Sequence, residues 1–443
     1  MKIQLSDHFS YGKLLRFTMP SIIMMLFTSI YGVVDGIFVS NYAGKTPFAA
    51  INMIMPYIMI FGSVGFMLGT GGTALISKTL GMGDRKKANE IFSMLTVVCI
   101  VGGTVIAILS MVFLRPAAVL MGAEGEMLED CVTYGMIVLP ATGAYILQFA
   151  YQSYCVAAER ANLSLWMTVV SGVSNIVLDW LFVAVFRWGL EGAAIATSAA
   201  QIIGAIIPLV YFVRPNKSLL RLGKFHFDGK ALLRTLTNGS SEMVNNLSMS
   251  LVNMLYNVQL LRYAGENGIA AYGVIMYVNL FFLSVFIGFA IGSAPLIGYN
   301  YGADNRPELK NLFRKSLVIL GVSSLAMVGS AILLARPLSI IFVSYDPVLL
   351  EMTIRGFIIY ALSFLFSGFN IFGSSMFTAF NNGLISAVIS FVRTLVCQTA
   401  AVLLLPLVME LDGIWVSISV AELAALLLTV FCFIKFKKRY HYA

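Results

Sequence analysis

The sequence predicts an all-α polytopic membrane protein, with twelve transmembrane helices in two pseudo-symmetric six-helix lobes. Three observations predict it. Of 443 residues, 59% are hydrophobic and 11% charged, with a mean hydropathy of +0.87, far more apolar surface than one soluble core can bury. The apolar runs are long and unbroken. In lipid every backbone group must be satisfied internally, so such runs are helices and not the short alternating strands of a barrel. The third observation is a repeat: landmarks recur at an offset of 221 residues, half the chain.

Hydropathy over a window of about 19 residues sets the spans at 15–41, 48–78, 88–114, 130–157, 163–186, 190–213, 232–262, 269–300, 309–335, 350–379, 384–409 and 413–434. This divides the chain into a first lobe (1–213), a basic linker (214–231) and a second lobe (232–443). The start, Met1 to Arg16, is polar, and the first apolar run is too long for a signal h-region, so the first span itself should direct insertion. Of the 29 basic residues, 22 fall on the side of the termini and the linker, five on the other side, and Arg355 and Arg393 inside spans. The positive-inside rule then expects both termini in the cytoplasm of a multi-pass plasma-membrane protein. The net charge of +8 is thus a topology signal, and no nucleic-acid partner is expected. Cys99, Cys131, Cys155, Cys397 and Cys432 are scattered without disulfide or zinc spacing.

Tyr42-Ala43-Gly44 returns as Tyr263-Ala264-Gly265, Gly81 as Gly302, Arg85 as Arg306, Phe92 as Phe313, Gly135 as Gly356, and Leu190-Glu191-Gly192 as Leu411-Asp412-Gly413. Two halves of six spans insert the same way and are related by an axis along the membrane normal, with a cavity between them as the natural site. The halves differ in chemistry. Asp35 falls opposite Tyr256 and Asp179 opposite Ala400.

Asp35 lies inside the first apolar run. A carboxylate there costs about 2.5 kcal/mol or more and belongs either to an ion or proton pathway or to a helix–helix hydrogen bond. Pro20, in the same run, removes a backbone hydrogen bond and gives the helix a place to bend. Asn175 and Asp179 share a face of the fifth span. Thr197 is as far beyond the Arg187-Trp188-Gly189 turn as Asp179 is before it, which puts both about 13 Å from that turn. Two carboxylates, an amide and a hydroxyl at one depth suit a hard cation, with Na+ a candidate, or a shared proton. Glu242, in the seventh span, is a candidate for a cationic substrate or a partner for a basic group. Glu422 and Arg393 are further intramembrane charges whose pairing is a structural possibility. Gly44-Lys45-Thr46 lacks the earlier glycine of a phosphate loop, and His8, His226 and His441 lie at termini or in the linker. Neither ATP hydrolysis nor metal-dependent chemistry is expected, and no cofactor; an intramembrane enzyme lacks a nucleophile and base at matched depth.

Pro20 fifteen residues before Asp35, Tyr31 four before it, Asn175 with Asp179, Thr197, and the loops Leu80-Gly81-Met82-Gly83-Asp84 and Asn300-Tyr301-Gly302-Ala303-Asp304 together resemble the multidrug and toxic compound extrusion (MATE) family. The likeness extends over the whole chain, and is greatest to prokaryotic members with an aspartate on the first helix. The resemblance implies an antiporter, not an enzyme, exporting cationic, amphipathic small molecules against inward flow of H+ or Na+ as a monomer in the bilayer. It implies a cation or proton site at Asp35, Asn175, Asp179 and Thr197, a hinge at Pro20, and Tyr31 and Gln152 lining the first-lobe cavity. A flippase for lipids or lipid-linked oligosaccharides is the alternative. It would need a cationic central cavity, whereas the embedded acids Asp35, Asp179, Glu242 and Glu422 outnumber Arg355 and Arg393.

Overall fold

In the first lobe, α1 spans Tyr11–Tyr42, α2 Lys45–Gly81 and α3 Arg85–Leu120. The fourth span, α4, joins Gly125–Val138 to Thr142–Ala157 through a tight turn, Leu139–Ala141, that holds Pro140. The fifth, α5, runs from Ala161–Asp179 into a wide π-helical turn, Trp180–Val185, and α6 is Gly189–Val213. In the second lobe one helix, Gly229–Gly302, is broken at Gly265 (φ 63°, ψ −151°) into α7 and α8. Then come α9 (Arg306–Val343) and α10, made of Pro347–Ala361 and Phe364–Ala379 bent by 49°. The eleventh span, α11, is Gly383–Phe391, a second π-helical turn Val392–Cys397, and Gln398–Leu404. Pro406–Tyr440 breaks at Glu410 (φ 51°, ψ −129°), and its part beyond that break is α12.

This computed structural model describes residues 3–42, 45–344 and 346–443, and the side chains of residues 32, 33, 35–42, 45, 46 and 48 lie outside the described set. The Asp35 side chain is therefore outside the described residues. Ten described helices are long and apolar enough to cross a membrane, or eleven counting the bent pair as one, and Gly229–Gly302 supplies two spans. The twelve-span, two-lobe fold is the one the hydropathy and the repeat predict.

The repeat is legible in the turns as well. Gly83 (φ 84°) and Asp304 (φ 49°) are 221 residues apart, as are Gly189 (φ 55°) and Glu410 (φ 51°). Each pair closes equivalent hairpins with a left-handed residue, which glycine adopts without strain and other residues only sparingly. Glu159 (φ 58°) and Asn381 (φ 59°) are 222 apart. The constant offset therefore slips by one before the fifth span of each lobe, where the two π-helical turns also occupy different registers. Asp179 is opposite an alanine under either offset.

The lobes meet most tightly at the end of the bundle that carries both termini. A methyl group on Gly239 of α7 would fall 1.9 Å from the Met67 carbonyl oxygen on α2, and one on Gly302 of α8 would fall 2.0 Å from that of Lys78. Only glycine permits such backbone contact. Asn381 Nδ2 donates across to the Ala74 carbonyl at 3.2 Å, and Lys78 Nζ sits 4.9 Å above the Tyr301 ring.

Two segments outside the spans are firmly docked. Leu5 N donates to Glu159 Oε1 of the first lobe at 2.8 Å, while Phe9 N donates to Glu308 Oε1 of the second at 3.0 Å. His8 Nδ1 lies 2.6 Å from Glu308 Oε2, and Lys315 Nζ donates to the Phe9 carbonyl at 2.6 Å. The N-terminal segment is thus a strap across the lobe boundary. The 214–228 stretch lies along α3: Arg85 holds the Ser218 and Leu219 carbonyls at 2.8 and 3.0 Å, and Asn89 Oδ1 accepts from Arg221 N at 2.9 Å.

Candidate functional site

On α5, Ser164, Thr168, Ser171, Asn175 and Asp179 recur at helical spacing and all are buried. They form one polar stripe up a helix whose other faces are apolar. Asp179 closes the stripe and has no exposed surface. Ser164 Oγ donates to the Gln152 carbonyl at 2.8 Å, Gln152 Nε2 reaches Thr168 Oγ1 at 3.5 Å, Gln148 Nε2 donates to Ser171 Oγ at 3.2 Å, and Ser171 Oγ donates to the Ala200 carbonyl at 2.7 Å. The stripe of α5 thereby links α4 to α6.

Four buried polar atoms along this stripe have no hydrogen-bond partner among the described residues: Asn175 Nδ2 and the Oε1 atoms of Gln148, Gln152 and Gln201. Each such atom costs on the order of 1–3 kcal/mol. Three helices, α4, α5 and α6, contribute these atoms, in the lobe that buries the Asp179 carboxylate. The donor set is neutral and carboxylate oxygen, which suits a hydrated hard cation or a proton-carrying water chain.

Against the same helix lies α1. Its Tyr31 ring packs on Gly172 of α5, where a methyl group would meet Tyr31 Cδ1 at 3.1 Å and Phe27 Cε1 at 2.7 Å. Nearer the termini α1 packs instead on the second lobe. Methyl groups on Gly288 and Gly292 of α8 would fall 2.5 Å from Ile22 Cα and 2.9 Å from Thr18 Cα. Pro20 sits between Thr18 and Ile22; beyond it α1 lies between the lobes, its Ser29 hydroxyl reaching the Leu280 carbonyl and Ser284 of α8 while Tyr31 packs on α5. The helix itself is continuous through Pro20.

The predicted residues are thus distributed as follows. Asn175 and Asp179 are together and buried on α5, Tyr31 is packed against that helix, and Gln152 is buried inside the lobe at 2% exposure. Thr197, on α6, is half-buried. The equal-depth estimate for Asp179 and Thr197 assumed uniform α-helix, but the π-helical turn Trp180–Val185 intervenes and shortens the axial distance on the Asp179 side. Gln148 and Gln201 were not anticipated. Spacing could have found the glutamines, since Gln148 is four before Gln152 and Gln201 four after Thr197.

The second lobe contains a buried acid, Glu422, and the pairing with Arg393 that the sequence raised as a possibility is present. Glu422 on α12 is 2% exposed and its Oε1 lies 2.8 Å from an Arg393 guanidinium nitrogen on α11. Glu242 on α7 is half-buried. Tyr256, the counterpart of Asp35, directs its hydroxyl to Ser417 Oγ at 2.7 Å. Arg355 is not in the interior. It is 68% exposed and paired with Asp412, beside Glu351 and Glu410 in a cleft on the face opposite the termini. Among the described residues no three His, Cys, Asp or Glu side chains cluster as a metal site would require.

Fold and site together define an integral membrane carrier built of two homologous bundles. The MatE family profile matches residues 20–181 and again 243–403, once in each lobe. The chain belongs to the MatE family. It is 25% identical over 367 residues to the multidrug export protein MepA of Staphylococcus haemolyticus strain JCSC1435, covering 81% of this chain and 80% of the relative. The MepA of Staphylococcus aureus strain NCTC 8325 is 23% identical over 365 residues, with 81% and 80% covered. Among solved structures, a crystal structure of MATE in complex with MaL6 superposes with a TM-score of 0.92 at 23% identity, over 98% of each chain. A MOP superfamily transporter from Pyrococcus furiosus superposes with a TM-score of 0.90 at 22% identity, over 98% of this chain and 97% of the other. These likenesses establish the fold.

Proposed function

We propose that the chain is a secondary antiporter that exports cationic, amphipathic compounds in exchange for H+ or Na+, and that it performs no covalent chemistry. The observation that carries this reading is the buried α5 stripe ending in Asn175 and Asp179, with four unsatisfied polar atoms along it, inside an otherwise apolar lobe. The role of the MepA relatives, multidrug export, supports the direction of transport. Asp35, Asn175, Asp179 and Thr197 would hold the coupling ion, Tyr31 and Gln152 would line the first-lobe chamber, and Glu242 would face cationic substrate. The functional units would be 1–213 and 232–443, joined by the 214–231 segment. The protein would act as a monomer in the plasma membrane with both termini in the cytoplasm, in keeping with the basic bias of that face.

In this reading the ion neutralises Asp35 and Asp179. The change in charge loosens α1 from the Gly172 face of α5, and α1 bends at Pro20, beyond which it packs between the two lobes. Coupling follows if the ion binds one conformation better than the other, and the lobes then rock about the cavity between them. The flippase alternative needs unpaired cationic side chains in the cavity for an anionic headgroup, but Arg393 is bonded to Glu422 and Arg355 to Asp412. The test is ethidium efflux from cells producing the protein. Asp35→Asn should abolish it while leaving the amount of protein in the membrane unchanged; efflux at the wild-type rate would remove Asp35 from the mechanism.

A further inference from the structure

The second lobe holds a buried ion pair, Glu422 with Arg393, that the ion-site reading leaves unused. Arg393 Nε donates to both carboxylate oxygens of Glu422, at 2.9 and 3.0 Å. Asn370 Nδ2 on α10 donates to Glu422 Oε2 at 2.8 Å and to the Glu422 carbonyl at 2.9 Å, and Thr429 Oγ1 donates to Asn370 Oδ1 at 2.8 Å. The acid is thereby fixed from α10, α11 and α12 at once, with only 12% of the Arg393 side chain exposed.

The network reaches α7 as well. Thr394, next to Arg393, donates to Asn245 Oδ1 at 2.7 Å, and Asn245 lies one turn beyond Glu242 on the same helix. Arg393 also lies in the π-helical turn Val392–Cys397, a distortion that collects at functional positions. With both carboxyls ionised, Glu242, Glu422 and Arg393 make a trio with a net charge of −1. A low-dielectric interior favours neutrality, so the trio attracts one further positive charge and resists a second.

We propose that Arg393 is a specificity-determining residue that counts charge: it cancels one of the second lobe's two acids, so that the chamber accepts monocationic substrates and discriminates against dications. The proposal rests on the reading of the chain as an exporter of cationic compounds. Ethidium and propidium are suitable probes, because they share a ring system and carry one and two positive charges. Their affinities for the purified full-length protein are read by fluorescence, and their export is read separately in proteoliposomes.

The wild type should bind ethidium more tightly than propidium. In Arg393→Met the propidium-to-ethidium affinity ratio should rise by about tenfold or more, the effect of one unit charge acting through a partly screened interior. In Arg393→Met/Glu422→Met, where the net charge is restored, the ratio should return to near the wild-type value. A ratio in Arg393→Met within twofold of the wild type, or a double variant that keeps the single variant's ratio, overturns the proposal. Should Arg393→Met fail to fold, Glu422→Gln acts in the opposite sense. It brings the trio to neutrality and should weaken ethidium binding by about tenfold, and unchanged affinity there overturns the proposal equally. Dye binding with no export under any ion gradient would overturn the exporter reading instead, leaving the charge-count result intact.

Discussion

At the scale of single residues, the decisive contrast is between two buried carboxylates in different company. Glu422 has a guanidinium at 2.8 Å and an amide at 2.8 Å, whereas Asp179 ends a stripe whose neighbouring amide and glutamine atoms are unsatisfied. The first arrangement is a closed ion pair; in the proposed reading the second is where the coupling ion enters. Removing one member of a buried pair strands the other charge, so Glu422→Leu should cost about 3–5 kcal/mol, while replacing both members by apolar residues should be nearly neutral. Thermal unfolding of the purified variants in detergent checks this, and equal losses for the single and double variants would refute it. Asp179→Asn should keep the fold and lose transport, measured as dye efflux at matched protein levels. Asn175 and Asp179 were legible in the sequence because polar residues four apart in an apolar run have few structural uses. The pairing of Arg393 with Glu422 could only be raised as a possibility, since they lie on different helices and nothing local joins them.

At the scale of elements, α1 does the unusual work. Its terminal portion packs on Gly288 and Gly292 of the second lobe, and beyond Pro20 it lies between Gly172 of the first lobe and Ser284 of the second. A proline frees a backbone carbonyl and lowers resistance to bending. Pro20→Ala should therefore slow export while leaving ethidium affinity within about threefold (0.65 kcal/mol) of the wild type; efflux at the wild-type rate would show that α1 does not bend there. The spans themselves were legible, because lipid demands long apolar helices. The π-helical turns Trp180–Val185 and Val392–Cys397 were not. One extra residue in a helix that is apolar on most faces leaves no mark on the hydrophobic pattern, and only the displaced registers of the two lobes reveal it.

At the scale of the whole molecule, the lobes are closed against each other where the termini emerge, through the contacts of Gly239 with Met67 and Gly302 with Lys78, and the N-terminal strap spans the same boundary. Gly302→Val would force this seam apart, since its side chain would collide with backbone. The expected outcome is faster labelling of a cysteine placed at Ala74, and unchanged labelling would show the seam to be incidental. Within the strap, the Gln4 backbone amide, and after it Lys13, hold the Asp7 carboxyl below its ordinary value. That contribution is fully present at neutral pH and is lost only as pH falls through the depressed value, below roughly 4. The stability difference between the wild type and Asp7→Asn should therefore be flat from pH 5 to 8. The seam was not legible beforehand: glycines 221 residues apart announced a repeat, but not that Gly81 and Gly302 meet across it.

The most direct test of the account is export by the purified protein in proteoliposomes, with a pH gradient and a sodium gradient imposed one at a time. Ethidium should move against its own gradient when one of these ion gradients is present, and should stop doing so in both Asp35→Asn and Asp179→Asn. Uphill movement with neither gradient, or undiminished movement in both variants, would contradict an exporter driven through the acids of the first lobe.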